Sequence, residues 1–354
     1  MLIKWVKIEL MLGIMLALTS CGFGPSGSGK NTSDKACAEM SKEECNSQSF
    51  RCVYNIDVCR DKFKENDQGI PEGLGTVKKL AMGGAIYVID SDDRLWGFGR
   101  FSMFQEIYPH PSKSYSDITV IHDNACAITK DGKVECFKNG RRSKLELKNQ
   151  APLIFVAPHP YDQTACGVEN TQKLICESDT GLFEKLADKW NKFVNGTPNP
   201  AKVVGLWMSS ANTINLLLDN NNVLSSTSDQ TSPDGWKDFA KLFGNVSLFA
   251  HSLNSTCYIS TAGILHCEGS AYDTSGKLSI PNEMKAEKII QVATNQDHTC
   301  AIKNSDNELV CWGSKRVLEN IPKGLKGVKQ VAVGPFDTCI INKNDKLECF
   351  KQQD

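Results

Sequence analysis

The strongest constraint in this sequence is a short cysteine-bearing frame, clearest at Asn124 to Phe137 (NACAITKDGKVECF), which returns along most of the chain. Cys126 and Cys136 are ten residues apart, so if they face one another the turn centres on Asp131 and Ile128 falls opposite Val134. Lys130, Asp131 and Gly132 then form a three-residue hairpin loop, with glycine at the position that needs a left-handed backbone. A single copy could be a surface hairpin with two incidental thiols. The frame recurs, however, as Cys126 with Cys136, Cys166 with Cys176, Cys257 with Cys267, Cys300 with Cys311, and Cys339 with Cys349. Two residues inside the first cysteine lies Ile128, Val168, Ile259, Ile302 or Ile341. Two before the second lies Val134, Leu174, Leu265, Leu309 or Leu347. Side chains alternate faces along a strand, so each apolar pair shares a face with a cross-strand disulfide. The extra residue in the Cys300 copy lengthens its loop, Asn304 to Asn307.

Two further copies keep the frame without cysteine. Asn215 and Ser225 stand at the cysteine positions of one, with Leu217 opposite Val223; Tyr87 and Gly97 stand in the other, with Ile89 opposite Leu95. Both sulfurs are lost together, as expected of a bonded pair, and an aromatic opposite a glycine is a cross-strand compensation. The first positions, 87, 126, 166, 215, 257, 300 and 339, recur every 39 to 49 residues. That period belongs to propeller blades or solenoid units. An apolar strand precedes most copies, at Val77 to Ala81, Leu153 to Ala157, Val246 to Ala250, Ile289 to Ala293 and Val328 to Ala332. Connectors repeat too, Ile70-Pro71-Glu72-Gly73-Leu74 against Ile321-Pro322-Lys323-Gly324-Leu325. Each unit therefore supplies three or four short strands, apolar on both faces where neighbouring blades sandwich them.

The pattern Val292-Ala293, His298 to Ile302 and Leu309 to Gly313 resembles the regulator of chromosome condensation repeats, whose members form seven-bladed propellers. The resemblance covers Ile70 to the C-terminus, about four-fifths of the chain, with the other copies degenerate. It implies an all-β fold, a seven-bladed β-propeller carrying a small disulfide-rich N-terminal module. The last copy ends soon after Cys349 without a connector while an extra one precedes the first, so Ile70 to Thr76 is expected to complete the last blade and close the ring.

The N-terminus sets the compartment. Lys4 and Lys7 precede an apolar run, Leu10 to Leu18, too short to span a bilayer and suited to an export signal. Leu18-Thr19-Ser20-Cys21 resembles the bacterial lipobox, which implies cleavage before Cys21 and its acylation, and Gly22 resembles the outer-membrane sorting choice. The chain is expected to be an exported outer-membrane lipoprotein facing the periplasm or the cell surface. Gly24-Pro25-Ser26-Gly27-Ser28-Gly29-Lys30 mimics a phosphate-binding loop, but Asn31 stands where a Ser or Thr is needed and no strand precedes it. A flexible tether is the better reading.

Of 15 cysteines, Cys21 takes the lipid, ten form the hairpin pairs, and Cys37, Cys45, Cys52 and Cys59 form a compact cluster. The cluster lacks a C-x-x-C element, so two disulfides of open connectivity are expected rather than zinc. Ser41 and Glu44 could cap a short helix there. The divisions read as signal peptide 1–20, lipidated cysteine and tether 21–36, four-cysteine module 37–66 and propeller 67–354.

Chemical signals are sparse. Lysine and arginine number 40 against 41 acidic residues, without a basic stripe that would bind nucleic acid. His122, His159, His251 and His298 precede or neighbour the first cysteines at unequal offsets, which argues for structural imidazoles over a metal cluster. Asp90, Asp92 and Asp93 lack the glycine and glutamate of a calcium loop and read as turn residues. Leu182, Phe183, Leu186, Ala187, Trp190 and Phe193 have helical spacing and suggest an insertion packed on the blade rim in preference to a docking helix, with Trp236, Phe239 and Phe243 a candidate counterpart. No catalytic signature, metal set or cofactor motif stands out. The reading is a monomeric, membrane-anchored binding protein that engages a protein partner through rim loops. Inhibition of an enzyme fits this reading, since the resemblance implies relatives that act by protein contact, among them nuclear exchange factors and a secreted β-lactamase inhibitor. An exported lipoprotein excludes the nuclear role. Glycan or peptidoglycan recognition and a hydrolase in the central funnel are the alternatives.

Overall fold

The computed structural model of the protein describes residues 65–99, 107, 109–110, 112–138, 140–143, 145–178, 181–208, 213–226, 245–252, 255–269 and 273–351, with the backbone of 52–55, 58–61 and 236–238. A separate hairpin, β1 (Cys52–Asn55) with β2 (Val58–Asp61), precedes seven antiparallel sheets. The first blade holds β3 (Val77–Met82), β4 (Ile86–Asp90) and β5 (Leu95–Phe98). The second holds β6 (Tyr115–Ile121), β7 (Asn124–Thr129), β8 (Val134–Lys138) and β9 (Arg141–Arg142). The third holds β10 (Leu153–Pro158), β11 (Ala165–Glu169) and β12 (Leu174–Glu177), and the fourth β13 (Val203–Met208), β14 (Ile214–Leu218), β15 (Val223–Ser226) and β16 (Trp236–Asp238). The remaining three are β17 (Val246–His251), β18 (Ser255–Ser260) and β19 (Leu265–Gly269); β20 (Ile289–Thr294), β21 (His298–Lys303) and β22 (Leu309–Gly313); and β23 (Val328–Val333), β24 (Asp337–Asn342) and β25 (Leu347–Lys351). Lys130 to Gly132, Asn304 to Asn307 and their counterparts are the hairpin turns between second and third strands.

The cysteine frame has the register expected of it. Cys126 pairs with Cys136 across the ladder, Ile128 with Val134, and the other four copies follow suit. All five are disulfides with Cα atoms 4.0 or 4.1 Å apart. In the copies without sulfur, Tyr87 stands opposite Gly97 and Asn215 opposite Ser225. The middle strands β4, β11 and β14 are buried at every residue. Being covered by a blade on each face, they have no solvent side to make polar.

First strands of successive blades lie side by side around the centre. What fixes each blade to the next is the hairpin turn. Asp93, Gly132, Asn221, Gly263, Asn307 and Asp345, all at positive φ, each present a carbonyl that accepts the first N–H of the following blade. The acceptances run to Tyr115, Leu153, Val246, Ile289, Val328 and, returning to the start, Val77, at 2.7 to 3.0 Å. In the third turn Gln172, also at positive φ, accepts Val203 N–H through its side-chain Oε1 at 2.6 Å.

The ring thus closes, and the connector before the first blade takes part. Ile321 and Leu325 pack on Cys300, Ile302 and Leu309 of the sixth blade. Ile70 and Leu74 occupy the equivalent place with Cys339, Ile341 and Leu347 of the seventh. Residues 66–76 add no strand to that sheet, which stays three-stranded; they complete the blade through side chains alone.

Helix α1 (Leu182–Gly196) covers the outer edge of β12, burying Phe183, Leu186, Ala187 and Trp190. Asn191 mimics a neighbouring strand, its Oδ1 accepting Leu174 N–H at 2.9 Å and its Nδ2 donating to Leu174 O at 2.8 Å. Phe193, expected in the buried stripe, is 55% exposed. Two short helices, α2 (Asn282–Lys285) and α3 (Lys315–Leu318), lie in later connectors. The expected helical counterpart at Trp236 is overturned: Trp236 to Asp238 is a strand paired with β15, which offers an open edge. Phe239 and Phe243 lie outside the described residues, as do Cys21, Cys37, Cys45 and the proposed cap at Ser41. The side chains of Cys52 and Cys59, and so any disulfide of that module, also lie outside them.

Candidate functional site

The two rims differ in construction. On one, six of the seven hairpin turns have four residues between strands and the other has five, and the turns are committed to pinning the next blade. On the other, the loops joining first to second strands range from two residues, 122–123, to six, 159–164. This variable rim carries Tyr161, 50% exposed, and Phe336, 36% exposed with the Arg316 guanidinium 6.0 Å above its ring.

All four singled-out histidines lie on the variable rim, each serving a local contact. The His122 carbonyl accepts Gly84 N–H at 2.7 Å, and its Nδ1 meets Asp123 at 3.0 Å. His159 is buried and its carbonyl accepts from Asn124 Nδ2 at 2.7 Å. The His251 ring shares a hydrogen bond with Thr256 Oγ1 at 2.9 Å, and His298 one with Thr338 Oγ1 at 2.7 Å across a blade boundary. Burial pushes the pKa of each of these last two down to about 4, Lys277 adding to the effect on His298. Among the described residues no three metal-ligating side chains converge. Asp90 is a turn residue as expected, its buried carboxylate accepting Asp92 and Arg94 N–H groups, Arg94 Nε and Trp96 Nε1.

The central channel is two-faced, which sequence reading missed. In every first strand the pairing register shifts between the first and third residues. Those third residues are Lys79, Asp117, Phe155, Gly205, Leu248, Gln291 and Gln330. Gln291 clasps both backbone groups of Val331 in the next blade, at 3.0 and 3.2 Å. Gln330 does the same to Leu80 at 3.1 and 2.8 Å, and Lys79 Nζ reaches Asp117 at 2.7 Å. The third, fourth and fifth blades have Phe155, Gly205 and Leu248 there, which form no such bond. Beside them the channel holds a cavity of about 420 Å³, lined by parts of β6, β10, β13 and β17. Trp207 stacks on Phe249 within it, centroids 4.0 Å apart, across the seam where neighbouring first strands touch least. Among the described residues no Asp, Glu, Lys or Arg lines this cavity.

A larger depression of about 970 Å³ lies outside the second blade. Its buried carboxylate, Glu135, is already engaged by Lys113, by Tyr115 Oη at 2.7 Å and by Arg142 at 2.9 Å. Burial alone would raise the Glu135 pKa; the Lys113 and Tyr115 hydrogen bonds outweigh it and hold the group ionised.

The family model for the regulator of chromosome condensation (RCC1) repeat matches residues 289–315, strands β20 to β22. No curated protein matches the chain by sequence. Among solved structures, Prp20p from Saccharomyces cerevisiae, whose binding to Gsp1p and histones has been studied, superposes with a TM-score of 0.53 at 13% identity, over 73% of this chain and 80% of that one. The CRINKLY WD40 ectodomain of the Arabidopsis thaliana receptor kinase ACR4 gives 0.50 at 16% identity, over 79% and 100%. Human WBSCR16 gives 0.50 at 11%, over 78% and 89%. At such identities the likeness concerns fold, while the repeat match concerns sequence. The blade at 289–315 matches the regulator of chromosome condensation repeat, and the chain as a whole is a seven-bladed β-propeller whose other blades share that blade's frame.

Proposed function

We propose that the protein is a non-catalytic binding module, exported and held at the outer membrane through Cys21, that engages a protein partner through its variable rim. The observation that carries this reading is the contrast between rims. Turns that pin the ring cannot vary without loosening it, whereas the opposite loops differ in length and expose Tyr161 and Phe336. Exposed aromatics supply large contact area at low entropic cost, which suits recognition. The solved propeller whose binding to Gsp1p and histones was studied supports protein contact as a use of the fold, though fold alone names no target. The described lining of the channel cavity is apolar apart from Thr119, Ser247 and His251, a composition that suits binding of a ligand.

Photo-crosslinking residues at Tyr161 and, as a control, at Lys133 on the turn rim test the reading in envelope extracts. A protein adduct formed at Tyr161 and lost in Phe336→Ser supports it; equal adducts from both rims would overturn it. Binding of a glycan array with no protein adduct would move the assignment to saccharide. Labelling with a radioactive fatty acid, abolished by Cys21→Ser, tests the anchor separately.

A further inference from the structure

We propose that the apolar side of the central channel is a binding site for a small uncharged molecule with an aromatic or branched aliphatic body. The cavity volume of about 420 Å³ falls within the range of about 300–1,000 Å³ usual for small-molecule sites. Its walls are Val120, Ile121, Pro158, Leu206 and Leu248 with the Trp207–Phe249 stack, and its polar atoms are those of Thr119, Ser247 and His251 together with backbone. His251 adds no charge near neutral pH, because burial pushes its pKa down to about 4. A charged ligand entering this lining would lose hydration without gaining a counter-charge. An uncharged ring would gain apolar burial against the tryptophan and phenylalanine.

The second observation is where the fold withholds its cross-blade ties. Gln291, Gln330 and Lys79 use their side chains to bond the next blade. At Phe155, Gly205 and Leu248 that tie is absent, and the cavity opens beside these blades. Gly205 withholds a side chain where a Cβ would stand 3.3 Å from that of Leu217, itself part of the cavity lining. The ring makes this tie at three successive seams and leaves it out after β6, β10, β13 and β17, the same four first strands that line the cavity.

N-phenyl-1-naphthylamine, an uncharged two-part aromatic whose fluorescence rises in apolar surroundings, is the probe. It is titrated into the oxidised, exported chain carrying Cys21→Ser, so that no acyl chain takes it up. Saturable binding at one site is expected, with 8-anilinonaphthalene-1-sulfonate, which adds a sulfonate to a similar body, binding at least about tenfold more weakly. Val204, 45% exposed and lining the cavity, and Ile290, 41% exposed on β20 and outside that lining, share the second position of their first strands with one blade between them. Val204→Asp is expected to weaken the uncharged probe at least about tenfold and Ile290→Asp to leave it unchanged, both keeping the wild-type melting profile. Uptake that is not saturable, equal affinity for the two probes, or equal effects of the two substitutions would overturn the proposal. If Val204→Asp fails to fold, Ser247→Glu on β17 makes the same test from the facing wall.

Discussion

Burial of neutral imidazole ties this propeller to pH. His298 has no exposed surface, and His251 is largely enclosed. Both fold with pKa values near 4 against 6.5 for an unfolded histidine. The unfolded chain therefore binds more protons between these values, and stability rises with pH across that window. It is complete above about pH 6.5 and is lost progressively as pH falls toward 4, with His298 alone contributing on the order of 3 kcal/mol. Urea midpoints from pH 7 to pH 4.5 should fall steeply, and His298→Gln should flatten part of that slope; an unchanged slope would show that the ring is not buried neutral. A second test at this scale concerns Gly132. A Cβ there would sit 2.4 Å from the Cα of Pro152, and the backbone is at φ 78°. Gly132→Ala should cost more than the roughly 1 kcal/mol of left-handed strain alone, because the clash meets backbone of the next blade. Thermal melting of this variant beside Gly263→Ala, whose nearest contact is the Lys288 Cβ at 3.2 Å, checks the difference.

At the scale of elements, the helix α1 takes the place of a fourth strand, and its two aromatics separate packing from display. Trp190 is 2% exposed, Phe193 55%. Trp190→Ala should destabilise by about 3–5 kcal/mol and Phe193→Ser by less than about 0.5 kcal/mol, read from chemical denaturation. The spacing of Leu182 to Trp190 made this helix legible because its apolar face is periodic. Trp236, Phe239 and Phe243 showed similar spacing, yet Trp236 lies in a strand, since three residues cannot tell a helix turn from an edge that β15 leaves open. Five hairpins were legible because sulfur pairs announce register, and the two without sulfur because they keep the same spacing. The first strands at Tyr115–Ile121 and Val203–Met208 were not, because Ser116, Asp117 and Gly205 interrupt their apolar runs. The channel's asymmetry was hidden for a related reason. It depends on comparing the third residue of seven strands, two of which had to be located first.

For the whole molecule the decisive matter is how a linear chain becomes a ring without a strand exchanged between its ends. Val77 N–H bonds Asp345 O at 2.7 Å, and Gln330 clasps Leu80, so the last seam repeats the others. These bonds need the first and last blades already side by side. Ile70, 7% exposed among Leu347, Cys349 and Val77, supplies apolar contact to hold them there, as Ile321 does one blade earlier. Removing a buried isoleucine side chain costs about 2–5 kcal/mol, so Ile70→Ala and Ile321→Ala should be alike in stability. They should differ in where the ring opens. Hydrogen exchange should rise in β3 and β25 for Ile70→Ala, and in β22 for Ile321→Ala, since a blade opens locally where its packing is thinned. Truncation sharpens the test: a chain beginning at residue 65 should melt cooperatively, while one beginning at residue 77 should lose protection at the first-to-last seam. Equal protection in the two truncations would show that the turn bonds and the glutamine clasp close the ring unaided.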